Sequence, residues 1–321
     1  MFIKRNISVP TGNICIADGE LNKPLEFLSL GDYGKSNNIK ADFLGFTNEI
    51  NGVQHGDLLP LEEKWVITIS SQYGCSMGCK FCDVPMVGTG LNASLDDLVS
   101  QVLLAMGLHP EVKDGRINLH YARMGEPTWN RDVIASAYYL RGLLSPSFKF
   151  HPVVSTMMPR KNDRLQPFLA DWLAFKRFSG GDAGLQISVN TTDYMSRERQ
   201  FNGNAMGLTT ISDVFYELLS GEEFYGRKIA LNFALTGDEI NAEYLRELFS
   251  PRYFMCKLTP IHDTSACKRN GYEPDGYETY SAYKQVEEDL KSAGFDVLVF
   301  VPSSEEDSSR ITCGNAILSD K

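Results

Sequence analysis

The sequence has no long hydrophobic run and no apolar stretch near its start. None of its 321 residues belongs to an apolar run that approaches the roughly 18 residues needed to cross a membrane, so no membrane-spanning helix is predicted. The opening residues, MFIKRNISVPTGN, lack the apolar segment of a secretion signal. Seven cysteines without an export signal indicate a reducing compartment. We therefore expect a cytoplasmic protein with no membrane partner.

The chain also lacks the basic excess of a dedicated nucleic-acid-binding protein. It has 31 Lys and Arg residues against 41 Asp and Glu residues, which gives a formal net charge of −10. Because nucleic-acid binding depends on basic contacts, RNA is a disfavoured partner. Local basic clusters at 160–164 and 197–199 could form a basic patch, but charged helix ends are the preferred explanation of both.

A fourth cysteine is missing from the chain's main cysteine motif. Cys75, Cys79 and Cys82 follow a β-type run at 65–71, in a segment without hydrophobic periodicity. Three thiolates on one loop can hold three irons of a 4Fe–4S cluster and leave the fourth iron open to another ligand. A zinc site normally has four closed ligands, and the odd number of cysteines argues against disulfides. Packing of three cysteines by chance is the remaining alternative.

CxxxCxxC with an aromatic residue, Phe81, before the last cysteine resembles the signature of the radical S-adenosylmethionine (SAM) superfamily. The resemblance implies a 4Fe–4S cluster whose open iron binds SAM. It also implies reductive cleavage of SAM to a 5′-deoxyadenosyl radical that abstracts hydrogen from a substrate. An electron donor such as flavodoxin or ferredoxin would then be a partner.

From Trp65 onward the sequence alternates between strand and helix patterns. Strands are predicted at 65–71, 116–121, 149–155, 184–190, 227–234, 253–259 and 295–301, and helices near 94–107, 130–144, 162–178, 209–220, 238–249 and 278–293. This alternation predicts an α/β fold with a parallel sheet. Six units suit a partial (β/α)6, TIM-like barrel, which is the fold that the resemblance implies. We expect residues 1–60 to form a small β-rich accessory region, and residues 61–321 to form the barrel with a C-terminal strand, extension and active-site loop.

Barrels of this kind carry their chemistry at the C-terminal ends of the strands. Gly125 and Glu126 occupy a tight turn after the second predicted strand. The resemblance makes this carboxylate a candidate to hold the ammonium group of SAM. A turn glutamate paired with an arginine is the alternative.

Four further polar residues stand near strand ends. Ser155 follows the third strand, where it can bind a carboxylate or cap the next segment. Ser188 and Asn190 alternate with apolar residues and are predicted to point inward, where a ribose hydroxyl would satisfy them. His262 follows the sixth strand, where contact with adenine or substrate and a structural role are both open.

The last predicted strand leads into a polar stretch, which we expect to be mobile, and then to Cys313 and Gly314. Glycine lets the backbone approach a ligand, and a cysteine can serve as a nucleophile or radical carrier. A cysteine without a chemical role is the alternative.

Several motifs together resemble the RlmN/Cfr branch of the superfamily, whose members methylate adenosine in RNA. SSQxGCxxxCxFC is present as SSQYGCSMGCKFC, MGEP as Met124–Pro127, and the terminal CG as Cys313–Gly314. Val154–Pro159 resembles the branch's VSTxxxxP, two residues shorter, and Ser188–Asn190 resembles its Ser-Leu-His strand end. The resemblance covers about residues 65–315.

In that branch two cysteines outside the cluster motif take part in catalysis, and only one of them has a counterpart here. The cysteine of the terminal CG carries a methyl group from SAM to adenine, which implies this role for Cys313. The second cysteine, seven residues before the first cluster cysteine, resolves the protein–RNA adduct. Thr68 stands at that position and cannot form a disulfide, which leaves Cys256 and Cys267 as possible substitutes.

Our preferred interpretation is a lyase that acts on a small modified base, nucleoside or nucleotide, similar to queuine lyase in queuosine salvage. The alternative is an RNA adenine methyltransferase that uses Cys313 as methyl carrier. An iron–sulfur electron carrier would not need MGEP and the polar strand ends, and it would usually supply four cysteines per cluster. A zinc-stabilised binding module would contain zinc and show no visible absorbance when purified anaerobically.

Overall fold

The computed structural model of the chain describes residues 1–32, 58–221, 224–273, 280–302 and 307–320. Within these ranges a ten-stranded sheet has the order β1-β2-β3-β4-β7-β8-β9-β10-β11-β12, and β5 and β6 form a separate hairpin. The strands are β1 (Phe2–Val9), β2 (Gly12–Asp18), β3 (Pro24–Leu30), β4 (Trp65–Ile69), β5 (Gln72–Gly74), β6 (Thr89–Asn92), β7 (Gly115–Tyr121), β8 (Phe148–Thr156), β9 (Gly184–Ser188), β10 (Ile229–Leu235), β11 (Phe254–Pro260) and β12 (Asp296–Val299).

The strands from β4 to β12 in the large sheet are parallel, and helices connect them. The helices are α1 (Leu95–Gly107), α2 (Asp132–Leu143), α3 (Leu165–Phe178), α4 (Tyr194–Gln200), α5 (Leu208–Leu219), α6 (Ala242–Leu248), α7 (Ser265–Arg269) and α8 (Ser281–Ser292). The predicted α/β class is confirmed, and each predicted strand and helix has its counterpart. In the described ranges the strand order of the large sheet begins with β1 at one edge and ends with β12 at the other. None of the helices in the described ranges is long and apolar enough to cross a membrane.

Local signals in the sequence explain several helix starts. Ser94 accepts a hydrogen bond from Asp97 N, and the Asp97 side chain accepts one from Ser94 N, so a capping box begins α1. α4 and α7 are too short for a periodic pattern, and the prediction missed both. Asp193 caps α4 and Thr264 caps α7.

The first three strands extend the large sheet. β1, β2 and β3 are antiparallel, and β3 pairs with β4 through Leu28 and Thr68. Leu25 and Phe27 are fully buried in the same core as the parallel strands. This β-rich region therefore shares both the sheet and the core of the rest of the chain.

Alternation along each parallel strand separates two faces of the sheet. In β10, Leu231 and Phe233 join the core that packs beneath the helices, whereas Ala230 and Ala234 are half-buried on the other face. β4, β7, β9 and β11 alternate in the same way. We call the side without the helix core the open face. It carries Thr68, His120, Ser155, Gln186, Ser188, Asn232 and Lys257.

Candidate active site

The three motif cysteines lie on one turn that follows β5. Cys75 and Cys79 are buried, and Cys82 is half-buried. Cys82 N donates to Cys79 O at 3.2 Å, which closes the turn. The thiols are close enough to interact electrostatically, because a charge on Cys75 or Cys82 further raises the pKa of Cys79, which burial already holds well above its ordinary value.

Elements from the second half of the chain fix this turn in place. Lys80 N donates to Gln200 O at 2.9 Å, and Asn204 Nδ2 donates to Met77 O at 2.7 Å. Phe81 packs edge to face on Phe201 with 5.6 Å between ring centroids. The two helices that the sequence did not predict, α4 and α7, thus border the cysteine turn, since Gln200 ends α4 and Thr264, the cap of α7, donates to Phe81 O.

Glu126 lies beside the cysteines, at the C-terminal edge of the sheet. Its Oε1 accepts hydrogen bonds from Thr128 N at 3.1 Å and Thr128 Oγ1 at 2.7 Å, and its Oε2 accepts from Met157 N at 3.0 Å. Burial raises the pKa of Glu126, and these hydrogen bonds oppose the shift. Its charge in turn raises the pKa of Cys79, whose Sγ lies 3.2 Å from Met157 Sδ. The structure therefore brings the candidate ammonium ligand next to the cysteine turn.

A glycine makes this placement possible. Gly125 has φ +97°, and a Cβ there would lie 2.6 Å from Gln72 Cβ. The same glutamine accepts a hydrogen bond from Glu126 N at 2.8 Å through its Oε1. Close packing of the turn on β5 thus sets the position of the carboxylate.

Cys313 lies on the other side of the cysteine turn. Its Sγ donates to Asn315 Oδ1 at 3.1 Å, and Asn315 Nδ2 donates to Asp83 Oδ2 at 2.9 Å. Asp83 directly follows Cys82 in the sequence, so two hydrogen bonds connect the terminal cysteine to the turn. Burial raises the pKa of the Cys313 thiol to about 12, although the positive charge of Arg123 acts in the opposite direction.

A buried ion pair anchors the segment that carries Cys313. Arg123 Nε donates to Glu26 Oε1 at 2.6 Å, and the Arg123 guanidinium also donates to Ile311 O and Arg310 O, each at 2.7 Å. Glu26 Oε2 accepts from Ile317 N at 2.9 Å. These bonds attach Arg310, Ile311 and Ile317 to β3 and to the turn after β7, and the mobility expected for the polar stretch before Cys313 stays a prediction.

The predicted polar residues of β8 and β9 divide into two groups. Ser155 and Ser188 are half-buried on the open face. Asn190 lies beyond the end of β9 with φ 64°. Its Nδ2 donates to Gln200 Oε1 at 2.9 Å, and its Oδ1 accepts a hydrogen bond from Ala234 N at 3.1 Å. The structure therefore does not bring Ser188 and Asn190 together on one face of a strand, because β9 ends at Ser188.

His262 follows β11 and faces the Cys313 segment. Its Nδ1 lies 3.2 Å from Asp307 Oδ1, and the same oxygen accepts a hydrogen bond from Thr312 Oγ1. Burial tends to raise the pKa of Asp307, but the bonds and charge of His262 and the bond of Thr312 hold it at about 2. His262 is therefore connected through Asp307 to the residue before Cys313.

Comparison with known proteins supports the resemblance to RlmN that the motifs indicate. No family model matches the chain. It is 25% identical over 229 residues to a probable dual-specificity RNA methyltransferase RlmN of Frankia alni, covering 68% of this chain and 52% of that protein. It is 26% identical over 258 residues to RlmN of Sorangium cellulosum, covering 78% and 61%. The chain thus spans little more than half the length of these relatives.

A solved radical SAM methyltransferase from Sphaerobacter thermophilus has the same fold. It aligns with a TM-score of 0.66 at 17% identity, over 96% of this chain and 79% of that one. The chain is a radical SAM superfamily member that resembles RlmN.

Membership of the radical SAM superfamily implies a 4Fe–4S cluster and SAM, and the donor set fits both. Cys75, Cys79 and Cys82 would each bind a different iron. No three His, Cys, Asp or Glu side chains within the described ranges form a site for a single metal ion, and a cluster does not require that convergence. Glu126 would hold the ammonium of SAM, because it is a buried carboxylate beside the turn.

The structure also shows the surroundings of Thr68, which stands where the RlmN/Cfr branch has its second catalytic cysteine. Thr68 is half-buried on the open face of β4, beside His120 of β7. Cys256 is buried in the helix-covered core, and Cys267 Sγ donates to Tyr272 O at 3.2 Å. Neither cysteine occupies the position of Thr68.

Three side chains that support the site were missed by the sequence reasoning. Arg123 and Asp307 bond the segment that carries Cys313, and Arg197 donates to Ser188 O, Val189 O and Met206 O beneath the cysteine turn. Arg123 stands directly before MGEP, which was the one available signal. The partners of Arg123 and Arg197 are distant in sequence or are backbone carbonyls, and Asp307 bonds both the nearby Thr312 and the distant His262.

Proposed function

We propose that this chain is a radical SAM methyltransferase in which Cys313 carries the methyl group to a nucleobase. The observation that supports this most directly is the pair of hydrogen bonds from Cys313 through Asn315 to Asp83, the neighbour of Cys82. They place a thiol beside the turn that would hold the cluster. The buried Arg123–Glu26 pair keeps it there.

The residues present have separate tasks in this reaction. When bound, the cluster and SAM supply the methyl group and the radical that removes hydrogen. Glu126 orients SAM through its ammonium group. Asn315 orients the Cys313 sulfur, which would lose its proton to solvent as its S–CH3 bond forms and the bond between the methyl group and the SAM sulfur breaks. Arg123 favours the thiolate, since its charge lowers the pKa that burial raises.

The names of the relatives support RNA as the methyl acceptor. The relatives from Frankia alni and Sorangium cellulosum, which match two thirds or more of this chain, are both named RNA methyltransferases. This favours methyl transfer over the lyase interpretation, although the net charge of −10 argues against extensive phosphate contacts. RNA adenine is therefore the proposed acceptor.

One observation favours the lyase as a second candidate. Thr68 stands where the branch has its resolving cysteine, while Cys256 lies in the helix-covered core and Cys267 lies on α7. Without that thiol, a product joined to Cys313 would not be released by disulfide formation. A lyase would need only SAM cleavage and hydrogen abstraction from a small base or nucleoside.

Mass spectrometry of the anaerobically reconstituted, reduced enzyme after incubation with SAM decides between the two. A gain of one methyl group on the Cys313 peptide, absent in Cys313→Ala and retained in Cys267→Ala, is the expected result. An unmodified Cys313 together with release of 5′-deoxyadenosine would overturn the methyl-carrier proposal and favour the lyase.

A further inference from the structure

Three strands of the open face present a row of polar side chains. Ser188 of β9 pairs in register with Asn232 of β10, and Asn232 pairs with Lys257 of β11. Neighbouring strands lie about 4.8 Å apart, so the three side chains are adjacent. Gln186 lies two residues before Ser188 on the same face of β9. Its Oε1 lies 3.4 Å from Lys257 Nζ.

Asn232 has no side-chain partner within the part of the chain that the structure describes. The residue is 9% exposed, and its Oδ1 is buried without a hydrogen bond. A buried amide oxygen without a partner is unfavourable, and a water molecule, an ion or a ligand can supply the missing hydrogen bond. The neighbouring strand residues leave the Asn232 amide directed to the open face, because Leu231 and Phe233 occupy the opposite side.

Lys257 is a cation without an acidic partner among the described residues. Its contacts are Gln186 Oε1 and the ring of Phe300, whose centroid lies 5.0 Å from Nζ. Burial, with a contribution from Lys64, lowers the pKa of Lys257 to about 8. Lys257 is half-buried, and an ammonium that is partly removed from water without a countercharge is unfavourable, so a ligand is the expected partner.

The positive charge extends across this part of the open face. Burial lowers the pKa of His120 to about 3, and the charges of Lys257, Arg227 and Lys64 lower it further, whereas Asp32 acts in the opposite direction. Lys64 is itself paired with Asp32 at 2.9 Å, whereas no acidic partner of Lys257 lies in the part of the chain that the structure describes. A locally positive face stands out in a chain with a net charge of −10.

We infer that the row of Ser188, Asn232 and Lys257 binds the anionic group of a small molecule on the open face, below the strand ends that carry Glu126 and Ser155. Lys257 would bind a phosphate or carboxylate oxygen, and Asn232 Oδ1 would accept a hydrogen bond from a hydroxyl or amine of the same molecule. The inference rests on Asn232 and Lys257 and does not depend on the methyl-carrier proposal, while Ser188 at the end of the row also stays a predicted contact of the SAM ribose.

Binding of inorganic phosphate and of acetate to the reconstituted holoenzyme tests the inference and distinguishes the two anion types. The melting temperature is measured against the concentration of each probe at constant ionic strength, since a ligand that binds the folded state raises it. A saturable rise with phosphate alone indicates a phosphate-bearing ligand, and a rise with acetate alone indicates a carboxylate. No saturable rise with either probe would overturn the inference.

Variants assign the binding to this row. Lys257→Met keeps the length of the side chain and Asn232→Leu keeps its approximate volume, and each is expected to weaken probe binding at least tenfold. Lys228→Met is the control, because Lys228 pairs with Asp296 instead of facing this row. Unchanged probe affinity in Lys257→Met would contradict the inference.

The stability of Lys257→Met without a probe gives a second readout. A lysine retained for a ligand and left unpaired in the folded chain destabilises it, so the variant should melt at the same temperature as the wild type or higher. A markedly lower melting temperature would mean that Lys257 has a structural partner, and would also overturn the inference.

Discussion

At the scale of single residues, Glu126 combines a structural and a chemical task. Its two oxygens already accept three hydrogen bonds from Thr128 and Met157, yet it is a buried carboxylate next to the cysteine turn. Thr128 and Met157 fix the orientation of the carboxylate without supplying a full countercharge. An ammonium group of SAM would supply it.

Glu126→Gln should therefore weaken SAM binding about tenfold to hundredfold, because a charge-assisted hydrogen bond of about 1.5–3 kcal/mol is lost. Equilibrium dialysis of SAM against reconstituted protein with equal iron content measures the change. Glu217→Gln, on the exposed face of α5, is the control. Equal affinity in Glu126→Gln and wild type would show that the ammonium binds elsewhere.

Asp307 makes a pH-dependent contribution to stability. Its pKa lies at about 2 in the folded chain against an ordinary value of 3.8. Because the folded-state pKa is the lower one, the stabilisation is complete above about pH 4 and disappears as the pH falls towards 2. Asp307→Asn should cost about 2 kcal/mol of unfolding free energy at pH 7 and almost nothing near pH 2.

Urea unfolding of wild type and Asp307→Asn at matched pH values measures this difference. Acid loss of the cluster affects both proteins and cancels in the comparison. Asp171→Asn, at an exposed position of α3, should show no difference at any pH. A cost of Asp307→Asn that stays constant down to pH 2 would mean that shape, not charge, holds the Cys313 segment.

At the scale of elements, the turn between β7 and α2 determines the geometry of the site. Gly125→Ala places a Cβ 2.6 Å from Gln72 Cβ at φ +97°, so the turn must move and carry Glu126 with it. We expect a loss of about 1–3 kcal/mol in unfolding free energy and weaker SAM binding. Gly142→Ala in α2 meets no atom within 4 Å and should stabilise the protein by about 0.5–1 kcal/mol.

Calorimetry and SAM dialysis on both glycine variants test this contrast. Wild-type stability and SAM affinity in Gly125→Ala would show that the turn tolerates the side chain. The two variants add the same methyl group, so any difference between them reports on the environment of the glycine.

The elements themselves could be predicted from the sequence because each parallel strand and long helix carries its own apolar period. The contacts of the terminal segment could not be predicted in this way. Residues 303–310 are polar and suggested mobility, whereas Ile311 and Ile317 are bound by Arg123 and Glu26, which lie 188 and 291 residues away from them in the sequence. The motif cysteines and Glu126 were identified because their spacing is local. Asn190 was misplaced because β9 ends two residues before it.

At the scale of the whole molecule, one ion pair joins three distant parts of the chain. Glu26 belongs to β3, Arg123 follows β7, and the guanidinium bonds Arg310 and Ile311 of the segment that carries Cys313. Both partners are buried, with side chains 2% and 0% exposed. The N-terminal strands therefore help to position the candidate catalytic cysteine.

Arg123→Met should cost about 3–5 kcal/mol, since it leaves Glu26 charged and buried without a partner. The double variant Arg123→Met with Glu26→Gln should recover part of that loss, because the uncompensated charge is gone. Both variants should release the terminal segment, because neither restores the bonds to Arg310 and Ile311. Limited proteolysis should then cleave this segment earlier than in the wild type.

The exposed pair of Lys228 and Asp296 provides the control, and Lys228→Met should cost less than about 1 kcal/mol. If the segment resists proteolysis in Arg123→Met, its other contacts, such as Asn315 with Asp83, suffice to hold Cys313 beside the cysteine turn.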